Sequence, residues 1–236
     1  NQAAAAAPAG TTITDSVSGA VATVRGQGAT FTGNGLRLPG GTTGNTAANS
    51  IAAYLDLPNG TFSSMPNFTI EIWATPLSAK NWMRVIEFGR ITQAGDGLGA
   101  AGEITGTAGS PAPGATDASD VVGLSASTWT GSLNDQRFLA GLDGTLQTAD
   151  SNLGTGAGEM HHYAITFADT AAGATVKWFR DGALIRTLNV GFKSASLEDV
   201  NVWLGRSLWS GDEMAHIEYH DIRIQSAAIA DGEAVV

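Results

Sequence analysis

The stretch Lys177–Phe192, KWFRDGALIRTLNVGF, decides the fold class. An Asp-Gly pair in its middle separates two runs of alternating side chains. Both residues of such a pair accept positive φ, which a tight turn between twisted antiparallel strands requires. Along the first run Trp178 points to one face while Lys177 and Phe179 point to the other. The stretch therefore predicts a β-hairpin.

Short runs of the same kind, bounded by Gly, Pro or Asn, recur along the chain. The run NFTIEIWATP at 67–76 predicts a central strand that ends at Pro76, and RVIEFG at 84–89 follows it at hairpin distance. Other predicted strands lie at 20–24, 28–33, 36–38, 52–58, 121–127, 136–141, 161–167, 200–205 and 215–224. Many strands and no convincing helix predict an all-β fold, a two-sheet antiparallel jelly-roll sandwich.

Length and composition favour one folded domain and exclude several function classes. A chain of 236 residues is within the range of a single all-β domain, for which we predict an apolar arm at 1–14, a sandwich at 15–236 and a Gly/Ala/Thr-rich loop excursion at 92–120. The formal charge of −10 argues against nucleic acid as a partner. The absence of cysteine excludes disulfides and thiolate metal sites. No stretch approaches the roughly 20 apolar residues of a membrane span.

The start of the chain and its surface chemistry predict export. The sequence begins NQAAAAAPAG, without Met and without a basic segment followed by a long apolar run, so we expect any secretory signal to have been removed. The acidic composition, rich in Gly, Thr, Ser and Asn, agrees with this. We predict a secreted protein, extracellular or at the cell surface.

Six segments in a fixed order carry a resemblance to a known family. They read FTIEIWATP, NWMRVIEFGR, MHHYAITF, VKWFRDGALIRTL, VNVWLGRS and IEYHDIRIQSAAIADGE. Together they resemble bacterial laminin-G-like domains of the concanavalin-A-like jelly-roll lectin and glucanase group, over about 15–233. The resemblance implies two curved sheets and a secreted, non-catalytic role in recognising glycans or proteins, in some members with calcium at the rim. Tyr163, Trp178 and Trp203 would then fill the sandwich or line its concave face.

Catalytic carboxylates are not evident. Hydrolysis of a polysaccharide needs two carboxylates placed across the scissile bond. Glu71 and Glu103 each stand alone in their segments. Glu218 and Asp221 are three positions apart, which places them on opposite faces of a regular strand. We therefore expect no enzymatic activity.

Metal-binding motifs are weak. His216, Glu218 and His220 alternate on one strand face and are the only weak zinc candidates, but side-chain pairing on a half-exposed strand explains the same pattern better. The acidic turns at 196–201 and 210–214 lack the spaced acids of a dedicated calcium loop. We expect no cofactor, and no specific motif supports calcium.

Aromatic side chains in turn-rich sequence are candidates for stacking on sugar rings. Trp82, Trp129 and Trp209 lie in such sequence, unlike the strand tryptophans, although covering the ends of the sandwich is an equally good interpretation. Asn59 and Asn67 begin sequons for N-glycosylation, NGT and NFT.

The apolar N-terminal arm is not explained by a sugar-binding module alone. An arm of small residues normally frays, so it either lies along its own domain or docks as an added strand on a neighbouring copy. The residues of this arm that we predict to mediate assembly are Ala3, Ala4, Ala5, Ala6, Ala7 and Pro8.

Head-to-tail docking of such an arm does not close on itself and would produce a filament. The sequence therefore favours a self-assembling extracellular structural or interaction protein, a filament or surface-layer subunit whose partners are other copies of itself. The alternative is a monomeric carbohydrate-binding or adhesion module whose partners are extracellular glycans. A polysaccharide-active enzyme is the least favoured function.

Overall fold

The chain forms a two-layer β-sandwich in a computed structural model that describes residues 3–41, 52–92, 99–104, 118–128, 132–209 and 211–230. Each layer is an eight-stranded antiparallel sheet, and strands are numbered in chain order. The first sheet has the spatial order β1 (Ala5–Ala6), β4 (Thr30–Phe31), β5 (Leu36–Gly41), β16 (Met214–Gln225), β7 (Asn67–Pro76), β12 (His161–Thr170), β13 (Gly173–Arg180), β14 (Ala183–Val190). The second has the order β11 (Thr145–Ser151), β10 (Gln136–Leu142), β9 (Ala118–Ser125), β8 (Arg84–Ile91), β15 (Asn201–Leu204), β6 (Tyr54–Asp56), β3 (Val21–Arg25), β2 (Thr12–Thr14).

The prediction of an all-β, two-sheet antiparallel sandwich is confirmed, and the core lies between the sheets. Alternation along β7 shows why: Phe68, Ile70 and Ile72 are at most 1% exposed and belong to the core cluster. Period-2 alternation directs such residues to one face of a strand. Tyr163 and Trp178 also lie in this core. Trp203 does not, because it belongs to a separate cluster on the outer face of the second sheet.

The predicted hairpin is β13 and β14. Asp181 (φ 51°) and Gly182 (φ 78°) form its turn, with the positive φ values that a two-residue hairpin loop favours. Trp178 pairs with Arg186 but Phe179 pairs with Leu184, so Ile185 is the extra residue of a bulge. The bulge lies in the edge strand of the first sheet.

The N-terminal arm lies along its own domain. Ala5 and Ala6 pair with Phe31 and Thr30 of the same chain. Ala7 is 0% exposed within the core, and its N–H donates to Ala29 O at 2.9 Å. Contacts within one chain therefore hold the arm in place. Of the two arrangements predicted from the sequence, the arm takes the one in which it lies along its own domain.

Deleting residues 1–10 is expected to lower the free energy of unfolding by about 1–3 kcal/mol, because a buried methyl group and several main-chain hydrogen bonds are lost. Urea unfolding measures the loss, and light scattering at several concentrations measures the oligomeric state. We expect both forms to remain monomeric. Oligomers of the intact chain that disappear on truncation would instead establish the arm as an assembly strand.

Two local predictions about strands are wrong. β8 does not form a hairpin with β7, because the intervening segment crosses from the first sheet to the second. Glu218 and Asp221 lie on the same face of β16, because a register shift between Tyr219 and Asp221 adds a residue to the strand. The strands β2 and β11 were not predicted, and β1 was predicted only as a strand added to a neighbouring copy, whereas it pairs with β4 of its own chain.

The structure describes only part of the predicted excursion at 92–120. Residues 93–98 and 105–117 lie outside the described residues, whereas Ile104 packs on the second sheet and Ala118 begins β9. No helix in the described ranges is long and apolar enough to cross a membrane.

Candidate functional site

Strand register arranges polar side chains in rows on the outer face of the second sheet. Arg84 of β8 pairs with Ser125 of β9, which pairs with Arg137 of β10, which pairs with Asp150 of β11. Four positions further along β9, β10 and β11, another row on the same face contains Gly89, Val121, Gly141 and Leu146. Gly141 has no side chain, and β11 comes so close to it that an added Cβ atom would lie 2.7 Å from Thr145 O.

The described residues of the segment 205–213, which are 205–209 and 211–213, lie over this face. Leu208 and Trp209 contact an apolar cluster that includes Leu139, Val121 and Trp203. This cluster is separate from the core between the sheets. On the same segment Arg206 is 1% exposed, and its guanidinium lies 4.6 and 4.5 Å from the ring centroids of Tyr54 and Trp203, which also contact each other.

A buried charge network fixes this segment to β8. The Arg84 guanidinium donates to Glu87 Oε1 at 2.5 Å, to Asp212 Oδ2 at 2.7 Å and to Ser125 Oγ at 2.6 Å. Ser207 Oγ donates to Asp212 Oδ2 at 2.6 Å, and Leu208 N–H donates to Glu87 Oε2. Since Arg84 is 2% exposed and Glu87 is 0% exposed, solvent screens these contacts little.

Trp209 forms one wall of an open pocket of about 350 Å³. The opposite edge is Leu146 on β11, which is 43% exposed. The pocket combines apolar side chains, three hydroxyl groups and two glycines, of which Gly144 is exposed and Gly141 is buried. The lining residues are Thr92, Ala118, Ser119, Val121, Gly141, Gly144, Thr145, Leu146 and Trp209.

Trp82 lies on the other side of Arg84. Arg84 Cζ is 5.3 Å from the ring centroid of Trp209 and 6.0 Å from that of Trp82. Trp82 has φ 55°, a conformation that bulky residues rarely adopt and that is often found at functional sites. The Trp82 ring also contacts Arg137, whose Cζ lies 4.7 Å from the ring centroid. Arg137 forms a bidentate hydrogen bond with Asp150, which lowers the pKa of the Asp150 carboxyl. The structure thus brings Trp82 and Trp209 to one guanidinium, while Trp129 lies outside the described residues.

A second open pocket, of about 410 Å³, lies where the edge strands β11 and β14 meet. Leu184, which is 44% exposed, Leu153 and Arg186 contribute to its wall. Arg186 Nε donates to Asp150 O at 2.6 Å and thereby ties the two sheet edges together. Because no aromatic side chain lines this pocket among the described residues, it offers no stacking surface.

The weak zinc candidates are not assembled into a site. Nδ1 of His216 is 2.8 Å from Ser78 Oγ, and Nε2 of His220 is 2.8 Å from Thr75 Oγ1. Glu218 accepts hydrogen bonds from Thr32 and Arg37. Within the described ranges, no group of three or more His, Cys, Asp or Glu is placed to hold a metal ion.

Acids of the two turns considered for calcium bond to protein groups. Asp199 Oδ2 accepts from Phe62 N–H at 2.7 Å, and Glu213 Oε2 accepts from Asn81 N–H at 2.6 Å. The sequon residues Asn59 and Asn67 are both exposed, and their glycosylation stays a prediction.

A buried carboxylate and histidine pair lies on the outer face of the first sheet. His162 Nε2 is 3.2 Å from Glu71 Oε1, and the Trp73 ring stacks on the imidazole at 4.3 Å. Gln225 Nε2 donates to Glu71 Oε2 at 3.0 Å. Burial lowers the pKa of His162, with Glu71 acting in the opposite direction. Burial also lowers the pKa of His216.

Stability is therefore expected to fall as the pH drops from 7.5 to 5.5. A histidine with a folded-state pKa below its unfolded value of about 6.5 binds more protons when unfolded, so acid favours unfolding below that pH. Urea unfolding at several pH values measures the slope. His162→Gln should reduce it, and adding His216→Gln should reduce it further. An unchanged slope in the double variant would contradict this assignment.

Several residues of the Trp209 pocket were missed from the sequence. Leu146 lies on the unpredicted strand β11, and Ser119 lies where the excursion was predicted. The signal that was available is the Asp143-Gly144 pair after QRFLAGL, which has the same turn chemistry as the opening hairpin. Asp143 (φ 48°) and Gly144 (φ 76°) do form the turn between β10 and β11.

Comparison with known proteins gives structural neighbours only. No protein-family model and no curated protein matches the sequence. Domain 4 of AbnA, a GH43 extracellular arabinanase from Geobacillus stearothermophilus in complex with arabinotriose, matches with a TM-score of 0.58 and 15% identity over 99% of this chain and 98% of that one. The CBM40 of a Ruminococcus gnavus IT-sialidase, bound to α2,3-sialyllactose, matches with a TM-score of 0.51 and 16% identity over 77% and 94%.

Larger proteins contain the same kind of unit. Trypanosoma rangeli sialidase matches with a TM-score of 0.61 and 16% identity over 97% of this chain but 31% of its own length. The binding domain of botulinum neurotoxin DC, in complex with rat synaptotagmin II, matches with a TM-score of 0.55 and 13% identity over 92% of this chain and 46% of that one. Identities this low show a shared fold. The chain has a concanavalin-like β-sandwich fold, which it shares with carbohydrate-binding and glycosidase-related domains.

Proposed function

We propose that the protein is a non-catalytic carbohydrate-binding module that binds a saccharide in the pocket between Trp209 and Leu146. One observation carries this proposal: a half-buried tryptophan and an exposed leucine line an open pocket together with residues that carry hydroxyl groups. In this proposal the module is secreted and of the laminin-G-like type. Neighbours that carry sialyllactose or arabinotriose support a glycan as the partner.

The chemistry of the pocket suits a sugar ring. Saccharide rings have an apolar C–H face, which stacks on indole, and a hydroxylated rim, which needs hydrogen bonds. Trp209 supplies the flat apolar surface, and Thr145 supplies an exposed hydroxyl group, a type of group that both donates and accepts hydrogen bonds. Gly144 is exposed at the β10–β11 turn and has no side chain to cover the main chain there.

The carboxylates near the pocket support a binding role rather than catalysis. Glu87 is fully buried, and both it and Asp212 accept hydrogen bonds from Arg84. Carboxylates held in this way are poorly placed to act as an acid or a nucleophile on a bound sugar. We therefore propose that the network positions the segment carrying Trp209 and takes no part in a reaction.

Self-assembly through the arm has no observation in its favour. Its motivation was the need to explain an ordered apolar arm, and pairing of Ala5 and Ala6 with β4, together with burial of Ala7, explains that order within one chain. The carbohydrate-binding alternative is therefore the better supported of the two functions.

Leu146→Ala is expected to weaken saccharide binding about tenfold, since removing a leucine side chain from contact costs of the order of 1.4 kcal/mol. Leu184→Ala is the matched control, because Leu184 is 44% exposed against 43% for Leu146 and lines the other pocket. An array of immobilised oligosaccharides identifies a ligand, and calorimetry then measures its affinity for the wild type and both variants.

Each outcome of this experiment is informative. Loss of affinity in Leu146→Ala with an unchanged Leu184→Ala supports the Trp209 pocket. Loss of affinity in Leu184→Ala with an unchanged Leu146→Ala would place the binding site in the pocket between β11 and β14 instead. Absence of binding to any saccharide on the array overturns the proposed function.

A further inference from the structure

We infer that the Trp209 pocket selects uncharged saccharides and rejects those that carry a carboxylate, an inference that rests on the proposed function. Neighbouring structures with bound glycans contain ligands of both kinds, neutral arabinotriose and acidic sialyllactose. The shared fold therefore does not decide the class of ligand. The charges in and around this pocket do.

No described residue that lines the pocket carries a charge. The polar side chains in the lining are the hydroxyls of Thr92, Ser119 and Thr145, and Gly144 adds an exposed stretch of main chain. Such groups satisfy sugar hydroxyls, which donate and accept hydrogen bonds. They supply no cation for a carboxylate, whose transfer from water is costly unless it is paired.

Among the described residues, Arg90 hydrogen-bonds to the side chain of a lining residue, but it is already paired with a carboxylate. Arg90 Nη2 donates to Ser119 Oγ at 3.3 Å, and its Nε is 3.1 Å from Glu198 Oε2. Directly behind the lining residues, Asp120 accepts from Ser119 Oγ at 3.3 Å and from Asp143 N–H at 3.2 Å. Around Ser119 and the β10–β11 turn there are thus three acidic residues, Asp120, Asp143 and Glu198, and one arginine, Arg90. The local field opposes an anionic ligand.

The arginines near the tryptophans do not change this balance. Arg84 contacts two buried carboxylates, and Arg137 is held in a bidentate pair with Asp150. Arg206 is buried against the rings of Tyr54 and Trp203 and does not line the pocket. An acidic sugar would have to break one of these pairs to find a cation, which leaves another carboxylate unpaired.

Calorimetry with matched ligands tests the inference. The neutral probes are arabinotriose, xylotriose, cellotriose and the methyl ester of trigalacturonic acid, and the acidic probes are trigalacturonic acid and α2,3-sialyllactose. Trigalacturonic acid and its methyl ester differ chiefly in charge. We expect at least one neutral probe to bind, with an affinity at least tenfold higher than that of any acidic probe. The affinity for the neutral probe should change little between 50 and 500 mM salt.

A variant with an added cation supplies the converse test. Thr145 is exposed at the pocket edge, so Thr145→Lys should fold and should gain several-fold affinity for trigalacturonic acid at 50 mM salt. This gain should disappear at 500 mM salt, since screening weakens exposed charges.

The outcomes separate failure of the inference from failure of the proposed function. Binding of an acidic probe that is as strong as neutral binding, and that Leu146→Ala abolishes, overturns the charge selection but keeps the site. No binding by either set, or binding that Leu146→Ala leaves intact, overturns the proposed function and the inference together. Neutral binding that depends on Leu146 supports both.

Discussion

Arg84→Ala is expected to lower the free energy of unfolding by about 3–5 kcal/mol, the usual cost of removing one partner of a buried ion pair. Without the guanidinium, Glu87 and Asp212 remain buried with no cation between them. The segment 205–213 then loses its attachment to β8, so Trp209 is displaced as well. Urea unfolding measures the first effect, and saccharide binding measures the second.

Two further variants make this prediction specific. Arg223→Ala removes the guanidinium of an exposed pair with Asp221, whose side chains are 59% and 47% exposed, and should cost about 0–1 kcal/mol. Arg84→Lys keeps the charge but loses the fork geometry, and should give an intermediate loss if Arg84→Ala fails to fold. Equal costs for the Arg84→Ala and Arg223→Ala variants would show that the network contributes no more than a surface pair.

Gly89→Ala is expected to destabilise the sandwich by more than about 3 kcal/mol, because overpacking and backbone strain add. Gly89 has φ 144°, and a Cβ atom on it would lie 1.8 Å from Asp120 O on the neighbouring strand. β8 and β9 would have to separate at this point. Since β9 contributes the floor of the pocket, binding should weaken together with stability.

Gly60→Ala is the matched control for this substitution. Gly60 has φ 72°, but no heavy atom lies within 4 Å of the position its Cβ would take. Only the left-handed conformation is then penalised, by about 1–2 kcal/mol. Similar urea midpoints for the two variants would mean that an alanine at position 89 does not force β8 and β9 apart.

The alternation of side chains predicted the layer architecture because most strands have one face in the core. β7 lies at Asn67–Pro76, as the sequence predicts, since its apolar side chains alternate without interruption. β11 was missed because it is an edge strand, exposed over most of its length, so no alternation marks it. The bulge in β16 was missed because a register shift depends on the partner strand and not on local spacing.

The site was predictable only in part. Trp209 was a candidate because it lies in turn-rich sequence, and it does line the pocket. Its partner Leu146 was missed together with β11. The attachment of the Trp209 segment depends on Arg84 and Asp212, which are 128 positions apart, and no local pattern reports such a contact. Charge selection at the pocket likewise depends on ion pairs between distant segments.

Methyl NMR of the wild-type protein during titration with a saccharide from the array tests the central claim most directly. Leu146 and Leu184 are both exposed leucines, and each lines a different pocket. The account predicts ligand-dependent shifts of the Leu146 methyl signals, with those of Leu184 unchanged. Shifts confined to Leu184, or no shift at either residue at saturating ligand, would contradict the assignment of the binding site to the Trp209 pocket.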